Sequence, residues 1–332
     1  MQPTGVALIG SGSASPDAVL TNDHLAEMVE TEDEWIQTRT GIAQRRLAGP
    51  ELGVRHLAAQ AGERAIAAAN LTPPDIDLII LATSSPDDLF GSAAQVQAEL
   101  GANRAAAFDI TAACSGFLVG LITASQFIRT GVYQNILLVG ADVLSRWTDW
   151  SDRRTCILFG DGAGAVVLQA SATDNLLGFD LHSDGRMNDC LTLAYAPEAK
   201  VLHGDLQISQ GRYQPIQMNG REVYRFAVKR VPEVISKALF RADLTAADLD
   251  WLLLHQANQR IIEAVAERLK ILPERALSNL AQYGNTSAAS IPLALDEAVR
   301  AGQVKPGHLI AASGFGAGLT WGAAVFRWGR SD

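Results

Sequence analysis

The pattern of LTPPDIDLIILATSS at residues 71–85 recurs in LTAADLDWLLLHQAN at residues 244–258. Each stretch follows an alanine-rich amphipathic run and continues as an apolar strand. FGDGAGAVVL (159–168) resembles GLTWGAAVFRW (318–328) in the same way, with Gly164 corresponding to Gly322. The sequence therefore predicts an internal duplication, with roughly 15 extra residues in the first copy near 145–157.

Apolar strands alternate with helical runs along the chain. Continuously apolar strands between helices are typical of sheets that are covered on both faces. We therefore predict an α/β fold of two similar halves, residues 1–173 and 174–332, packed as one body with a site between them. The predicted strands include 105–110, 136–142, 250–255 and 308–313, and the predicted helices include 115–129, 221–240, 258–270 and 291–301.

Composition argues against several classes of protein. The chain of 332 residues carries a net charge of −9, which disfavours nucleic acid as a partner because phosphate binding needs a basic surface. It has no apolar run of about 18 residues and opens with MQPTGVALIG, so we expect neither a membrane span nor a secretory signal. Three cysteines without regular spacing predict no disulfide framework, no metal site and a reducing, cytoplasmic setting.

Cys114 is the predicted nucleophile. It lies in FDITAACSGFLVGLITASQFI, where a strand ends near Ile110 and an apolar helix begins near Ser115. Free amides and the positive end of the helix dipole would stabilise a thiolate there and could hold the oxyanion of a bound thioester. An inert buried cysteine is the alternative. Cys156 and Cys190 lack this placement, so we predict structural or surface roles for them.

The second half supplies His255 and Asn285 as predicted partners. His255 follows the apolar run WLLL and precedes a helical run, which places it at the carboxyl end of a strand. Asn285 lies in YGNTSAA, which occupies the place of ITAACSG in the duplication, so it would face Cys114 across the pseudo-symmetry. The alternatives are a core histidine and a helix-capping or turn asparagine.

At these motifs the chain resembles a known family. ITAACSGF, LLLHQANQRII, YGNTSAASIPLALDEAV, GFGAGLTWG and the segment TEDEWIQTRTGIAQRR (31–46) resemble β-ketoacyl-[acyl-carrier-protein] synthase III of the thiolase superfamily, over nearly the whole chain. The resemblance implies a thiolase-like fold layered α/β/α/β/α and an acyltransferase that initiates type II fatty acid synthesis. Acetyl-CoA would acylate Cys114. Malonyl-acyl-carrier protein would then condense with loss of CO₂ to acetoacetyl-acyl-carrier protein, with His255 and Asn285 stabilising the enolate.

The resemblance also implies binding residues and a homodimer that needs no bound cofactor. The amides of Cys114, Gly316 and Ala317 would form an oxyanion hole, and Phe90 would close the acyl tunnel of the partner subunit. The residues implied for coenzyme A are Trp35, Arg39, Arg153 and Asn258. Those implied for the carrier protein are Gln256, Ala257, Asn258, Gln259 and Arg260.

A basic stripe on one predicted helix suggests a further contact with the acidic carrier protein. Arg221, Arg225 and Lys229 are spaced i, i+4 and i+8 and share one helix face. A solvated helix face is the alternative. Two residues depart from the family pattern: Gly91 stands where proline is expected, which would loosen that loop, and Ala317 stands where glycine is common, which would alter the turn.

Three other functions compete with a condensing enzyme. A cysteine hydrolase also uses Cys, His and Asn, but it would release free acid. A plant-type polyketide synthase has the same triad, and the carrier-protein segment argues against it. A non-enzymatic partner subunit typically lacks the nucleophile, whereas Cys114 is present.

Overall fold

The computed structural model describes residues 5–330, and its core contains two five-stranded sheets of the same topology. In the first sheet the order is β1-β7-β6-β4-β5, with β6, β4 and β5 parallel and β1 and β7 antiparallel to their neighbours. Its strands are β1 (Gly5–Ala14), β4 (Leu78–Ala82), β5 (Ala106–Ile110), β6 (Asn135–Val143) and β7 (Asp161–Ser171).

The second sheet repeats this arrangement in the order β8-β18-β17-β15-β16. β17, β15 and β16 are parallel, and β18 is antiparallel to both of its neighbours. Its strands are β8 (Leu176–Ser183), β15 (Trp251–Leu254), β16 (Ala276–Leu277), β17 (Leu309–Gly316) and β18 (Thr320–Arg327). The predicted boundary between residues 173 and 174 falls between β7 and β8, and this division into halves stays a prediction.

Helices pack on the two sheets to give five layers, as predicted. α3 and α4 cover the outer face of the first sheet, α5 and α9 lie between the sheets, and α6 and α7 cover the outer face of the second. The helices are α1 (Asn22–Ala26), α2 (Asp33–Thr40), α3 (Val54–Ala68), α4 (Ala93–Leu100), α5 (Gly116–Arg129), α6 (Gly220–Arg241), α7 (Gln259–Leu269), α8 (Leu280–Tyr283) and α9 (Ser290–Arg300).

The middle layer explains the composition of α5. A helix with sheets on both sides must be apolar around most of its circumference. Leu118 and Leu121 of α5 belong to one buried cluster with Ile80 of the first sheet and Ile310 and Phe326 of the second. The two halves therefore share a continuous core and cannot separate without exposing it.

The duplication extends to side-chain hydrogen bonds. Thr72 N donates to Asp75 Oδ2 at 2.8 Å, and Thr245 N donates to Asp248 Oδ2 at the same distance. Each pair caps a single 3-10 turn, Pro73–Asp75 or Ala246–Asp248, directly before the strand that enters the sheet. The repeated LT-x-x-D pattern is thus a repeated cap, which explains why both copies keep the same residues.

The extra residues of the first half lie where the sequence predicts them. Gly140 pairs with Gly164 between β6 and β7, and Gly314 pairs with Gly322 between β17 and β18. Residues 144–160 connect the first pair of strands, whereas residues 317–319 suffice for the second. The longer connection closes over the region between the two halves.

Short strand pairs extend from this core. β2 (Val19–Thr21) pairs with β3 (Gln44–Arg46), and the segment between β8 and α6 forms three further antiparallel pairs. Those strands are β9 (Leu191–Thr192), β10 (Tyr195–Ala196), β11 (Ala199–His203), β12 (Leu206–Ser209), β13 (Arg212–Tyr213) and β14 (Gln217–Met218). Within residues 5–330, no helix combines the length and the apolar character that crossing a bilayer requires.

Candidate active site

Cys114 lies in a 3-10 turn, Ala113–Ser115, between β5 and the start of α5, as the sequence predicts. Its side chain is only 7% exposed. The pKa of the thiol is raised to about 12, chiefly by burial and to a smaller extent by the Asp142 carboxylate, against the lowering effect of Ser287. The unliganded site therefore holds a thiol, so the expected helix-stabilised thiolate has to form during the reaction.

His255 directly follows β15 and is 2% exposed. Its Nδ1 lies 2.7 Å from Ser290 Oγ, and the same oxygen accepts a hydrogen bond from Gln256 N at 3.3 Å. Among residues 5–330, Nδ1 is the one acceptor within hydrogen-bonding distance of the Ser290 hydroxyl, which favours donation from Oγ to Nδ1. This favours the tautomer with the ring proton on Nε2. Burial lowers the pKa of His255 to about 3, so the imidazole is neutral.

Asn285 is held so that its amide NH₂ group is available to a ligand. Its Oδ1 accepts a hydrogen bond from Ser287 N at 2.9 Å, which fixes the orientation of the amide. Its backbone bridges to the insertion of the first half. Gly160 N donates to Asn285 O at 3.0 Å, and Asn285 N donates to Leu158 O at 2.9 Å.

These three side chains meet in one cavity of about 490 Å³. Cys114 comes from the first half, whereas His255 and Asn285 come from the second, as the duplication predicts. The ring of Phe315 packs edge-on against His255, with centroids 5.5 Å apart. A thiol, a neutral imidazole N–H and an amide NH₂ therefore surround one space that a small acyl group could occupy.

Gly316 brings the β17–β18 turn against the nucleophile. A Cβ atom at this position would lie 2.6 Å from Cys114 N, so the close approach requires glycine. Ala317 lines a smaller cavity together with Cys114. The sequence suggested that alanine at 317 would change the turn angles, but the left-handed residue of the turn is Gly318, with φ of 128°.

Trp35 and Arg39 line the cavity, and Arg153 packs on the Trp35 ring beside them. The Arg39 guanidinium carbon lies 4.7 Å from the indole ring centroid, and that of Arg153 lies 5.2 Å from it. Arg153 also donates to Glu30 O at 2.7 Å. These guanidinium groups cover part of the indole ring on which an adenine is expected to stack.

Arg154, which the sequence analysis overlooked in favour of its neighbour, lines the cavity with Trp35 and Arg39. Its guanidinium is 79% exposed and forms an ion pair with Asp152 at 2.8 Å. Adjacent arginines are equivalent by sequence, and the backbone path of the insertion decides which one faces the cavity.

The position of Gln256 contradicts the prediction that its side chain contacts the carrier protein. Its side chain is fully buried, with Nε2 donating to Leu254 O at 2.7 Å and Oε1 accepting from Asn279 N at 3.1 Å. It therefore cannot contact a carrier protein in this conformation. It ties the end of β15 to the segment before α8.

The rest of the predicted carrier-protein segment lies nearer the surface. Asn258 caps α7, accepting from Arg260 N at 2.9 Å, and its Nδ2 donates to Arg39 O at 2.9 Å, so its amide already has partners. Ala257 lines the cavity, and Gln259 donates to Glu263 at 3.1 Å.

The residues of the predicted basic stripe lie on the exposed side of α6. Arg221, Arg225 and Lys229 are all exposed, and Arg225 forms an ion pair with Glu222 at 2.9 Å. Arg221 and Arg260 line the cavity mouth. The stripe therefore continues into the opening that leads to Cys114.

Phe90 is fully exposed at the tip of the loop between β4 and α4. The backbone explains why glycine stands at 91, and the loosening of this loop stays a prediction. Gly91 has φ of 111°, which proline cannot adopt, and its N–H donates to Asp88 O at 2.9 Å. Asp109 accepts from Ser92 N at 2.9 Å, which anchors the end of the loop.

Comparisons with known proteins establish the family. Sequence models of 3-oxoacyl-[acyl-carrier-protein] synthase III and of its C-terminal part match residues 108–185 and 239–328. A β-ketoacyl-[acyl-carrier-protein] synthase III of Nostoc sp. is 66% identical over 330 residues, covering 99% of this chain and 100% of the relative. The chain belongs to the β-ketoacyl-[acyl-carrier-protein] synthase III family.

Solved structures agree with this membership. The 3-oxoacyl-[acyl-carrier-protein] synthase III of Aquifex aeolicus is 44% identical, with a TM-score of 0.90 over 98% of this chain and 100% of that one. The enzyme from Pseudomonas aeruginosa is 41% identical, with a TM-score of 0.88 over 99% of both chains. The predicted thiolase-like fold and the predicted class, an acyl-transferring condensing enzyme, are confirmed. A hydrolase and a non-enzymatic subunit are thereby disfavoured.

Proposed function

We propose that this chain condenses acetyl-CoA with malonyl-acyl-carrier protein to acetoacetyl-acyl-carrier protein, the step that initiates type II fatty acid synthesis. The observation that carries the proposal is the orientation of His255 and Asn285. Ser290 Oγ is hydrogen-bonded to Nδ1 of the imidazole, and Ser287 N donates to Oδ1 of the amide. The Nε2–H group of His255 and the NH₂ group of Asn285 are therefore left as two neutral donors for the cavity that contains Cys114.

The first step is acyl transfer to Cys114. Its sulfur attacks the thioester carbonyl carbon of acetyl-CoA, the carbonyl oxygen becomes an oxyanion, and the coenzyme thiolate leaves as the C–S bond breaks. The amides of Cys114, Gly316 and Ala317 are proposed to hold the oxyanion. The requirement for glycine at 316 supports this role, because a side chain there would block the space beside Cys114 N.

The second step is decarboxylation of the malonyl group and attack on the acyl-cysteine. Loss of CO₂ leaves an enolate whose negative charge lies on the thioester oxygen. A charged imidazolium could protonate that enolate, whereas the neutral His255 and Asn285 stabilise it by hydrogen bonding alone. The enolate carbon then attacks the acetyl carbonyl, a carbon–carbon bond forms, and Cys114 leaves as a thiolate.

We further propose that both substrates enter through the same mouth. The Trp35, Arg39 and Arg153 cluster, joined by Arg154, suits the adenine and phosphates of coenzyme A. Arg221, Arg225, Lys229 and Arg260 suit an acidic carrier protein. We also propose a cytoplasmic homodimer, in which the exposed Phe90 of each subunit enters the acyl site of the other.

The test is a condensation assay with acetyl-CoA and malonyl-acyl-carrier protein, followed by mass spectrometry of the carrier protein. The proposal predicts an acetoacetyl adduct that requires both substrates, together with one CO₂ per adduct. A reaction without acetyl-CoA serves as the control. Release of free acetate with no acetoacetyl adduct would contradict the proposal and favour hydrolysis.

A further inference from the structure

Arg45 is a fully buried arginine on β3 that has no carboxylate partner among residues 5–330. Burial lowers the pKa of its guanidinium to about 10, so the group stays charged near neutral pH. Its Nε is also buried without a hydrogen-bond partner in the described part of the chain. Burying a charge without a counter-ion costs free energy. Costs of this kind are expected where a residue fixes the geometry of a functional site.

The guanidinium joins segments that lie far apart in the sequence. Its Nη1 donates to Asn22 Oδ1 at 2.8 Å and to Leu20 O at 3.2 Å, and its Nη2 donates to Ile157 O at 2.7 Å. Leu20 belongs to β2 and Asn22 begins α1, whereas Ile157 belongs to the long connection of the first half. The planar fork holds these acceptors at fixed angles, which the ammonium group of lysine cannot reproduce.

The same connection holds the backbone of Asn285. Asn285 N donates to Leu158 O at 2.9 Å, and Gly160 N donates to Asn285 O at 3.0 Å. Phe159 and Asn285 thereby form an isolated parallel β-bridge. The place of the Asn285 side chain in the cavity therefore depends on residues 157–160, which Arg45 ties to β2 and α1.

The stem of Arg45 packs against both sides of this bridge. A Cβ atom at Gly160 would lie 3.2 Å from Arg45 Cβ and 2.1 Å from Tyr283 O. A Cβ atom at Gly284 would lie 3.4 Å from Arg45 Cβ and 2.7 Å from Leu158 O. Both positions thus need glycine, because the two backbones meet directly beside Arg45.

We propose that Arg45 is a positioning residue that holds Asn285 in the cavity through residues 157–160. It acts on the reaction only through Asn285 and touches no reacting atom. Its effect on decarboxylation rests on the proposed function, whereas its hold on the bridge does not. The alternative is a core arginine that stabilises the fold as a whole, which would affect His255 and Asn285 alike.

The first measurement needs no substrate. Hydrogen–deuterium exchange of the Gly160 and Asn285 amides reports opening of the bridge, because both are donors in it. In Arg45→Lys, which keeps the charge and loses the fork, both amides are expected to exchange about tenfold faster. The Ala113–Ser115 turn should exchange as in the wild type.

Two other variants complete this measurement. Arg46→Lys is the matched control, since neighbouring side chains of a strand point to opposite faces, and it should leave both amides unchanged. Asn22→Ala removes one acceptor of the guanidinium and leaves Arg45 in place. It is expected to speed exchange of the same two amides, so the test does not depend on the folding of Arg45→Lys.

The second measurement is a double-mutant cycle on the decarboxylation of malonyl-carrier protein. Arg45→Lys is expected to lower kcat by about tenfold and to leave KM unchanged, because a displaced donor weakens its contact in the transition state. In an Asn285→Ala background the same substitution should cost nothing further. In a His255→Ala background it should still cost about tenfold, since the two effects are then independent.

Unchanged exchange at Gly160 and Asn285 in Arg45→Lys would overturn the proposal. So would faster exchange throughout the chain, or an equal loss of kcat in the two variant backgrounds. A wild type that does not decarboxylate malonyl-carrier protein would contradict the proposed function instead. The exchange measurement would still decide whether Arg45 holds the bridge, so the two failures are distinguishable.

Discussion

Ser290 Oγ lies 2.7 Å from His255 Nδ1 and also accepts a hydrogen bond from Gln256 N. Donation from this hydroxyl, at the first residue of α9, to Nδ1 favours the tautomer that carries the ring proton on Nε2. A buried histidine without such a partner could populate either tautomer, and only the tautomer protonated at Nε2 can donate to an enolate in the cavity.

Removing this hydroxyl is expected to impair decarboxylation more than acylation. In Ser290→Ala, His255 loses its Nδ1 donor, and we expect malonyl-carrier-protein decarboxylation to fall by about tenfold, the equivalent of about 1.4 kcal/mol in the barrier. Acetylation of Cys114 should stay near the wild-type rate. The two half-reactions are measured separately with labelled acetyl-CoA and labelled malonyl-carrier protein. Equal losses in both would contradict the tautomer account.

Removing either donor itself should give a larger effect on the same half-reaction. His255→Ala and Asn285→Ala are expected to accept acetyl groups on Cys114 but to lose decarboxylation by about 10²-fold or more each. CO₂ release from labelled malonyl-carrier protein measures the loss. A variant that decarboxylates at the wild-type rate removes that residue from the proposed role.

The basic stripe on α6 should distinguish the two substrates. Reversing charge at Arg221, Arg225 and Lys229 is expected to raise KM for malonyl-carrier protein and to leave KM for acetyl-CoA unchanged, because the phosphates of coenzyme A are proposed to bind the separate arginine cluster around Trp35. Lys237→Glu, at an exposed position farther along the same helix, is the matched control. If both KM values rise together, or if neither changes, the stripe is not a docking surface.

Phe90 should limit the length of the primer. We expect the wild type to prefer acetyl-CoA over isobutyryl-CoA, and Phe90→Ala to reduce that preference, because the ring fills space in the partner's acyl tunnel. Each buried CH₂ group it excludes forgoes about 0.8 kcal/mol of burial. Competition between the two acyl-CoA substrates measures the preference. A wild type that prefers isobutyryl-CoA, or an unchanged preference in Phe90→Ala, would contradict the proposal that Phe90 limits the primer. A simple dimer contact then remains as the explanation.

Much of the fold could be predicted from the sequence because the duplication appears as short patterns of residues that occur in both halves. The repeated cap of Thr72 and Asp75 and the glycine pair across β6 and β7 each have a counterpart in the second half. These features depend on neighbouring residues and on strand periodicity, which a single sequence displays. The strand order within each sheet depends on long-range packing, which a single sequence does not display.

The supporting residues of the site were harder to find. Ser287 and Ser290 in YGNTSAAS resemble ordinary helix-start residues. Only the fold brings Ser287 into one small cavity with Cys114 and places the Ser290 hydroxyl beside His255. Asp142, at the end of an apolar strand, gave no signal of its own. Gln256 follows His255 in sequence, but its side chain points into the core, so proximity along the chain misled the prediction.

Labelling with radioactive acetyl-CoA shows whether Cys114 carries the acyl group. The wild type is expected to take up one acetyl group per chain, released by hydroxylamine as a thioester is, and peptide mapping should locate it at Cys114. Cys114→Ala should stay unlabelled, whereas Cys156→Ala, which removes a buried thiol elsewhere, should label like the wild type. Stable labelling of Cys114→Ala, or a label mapped to another residue, would contradict the account.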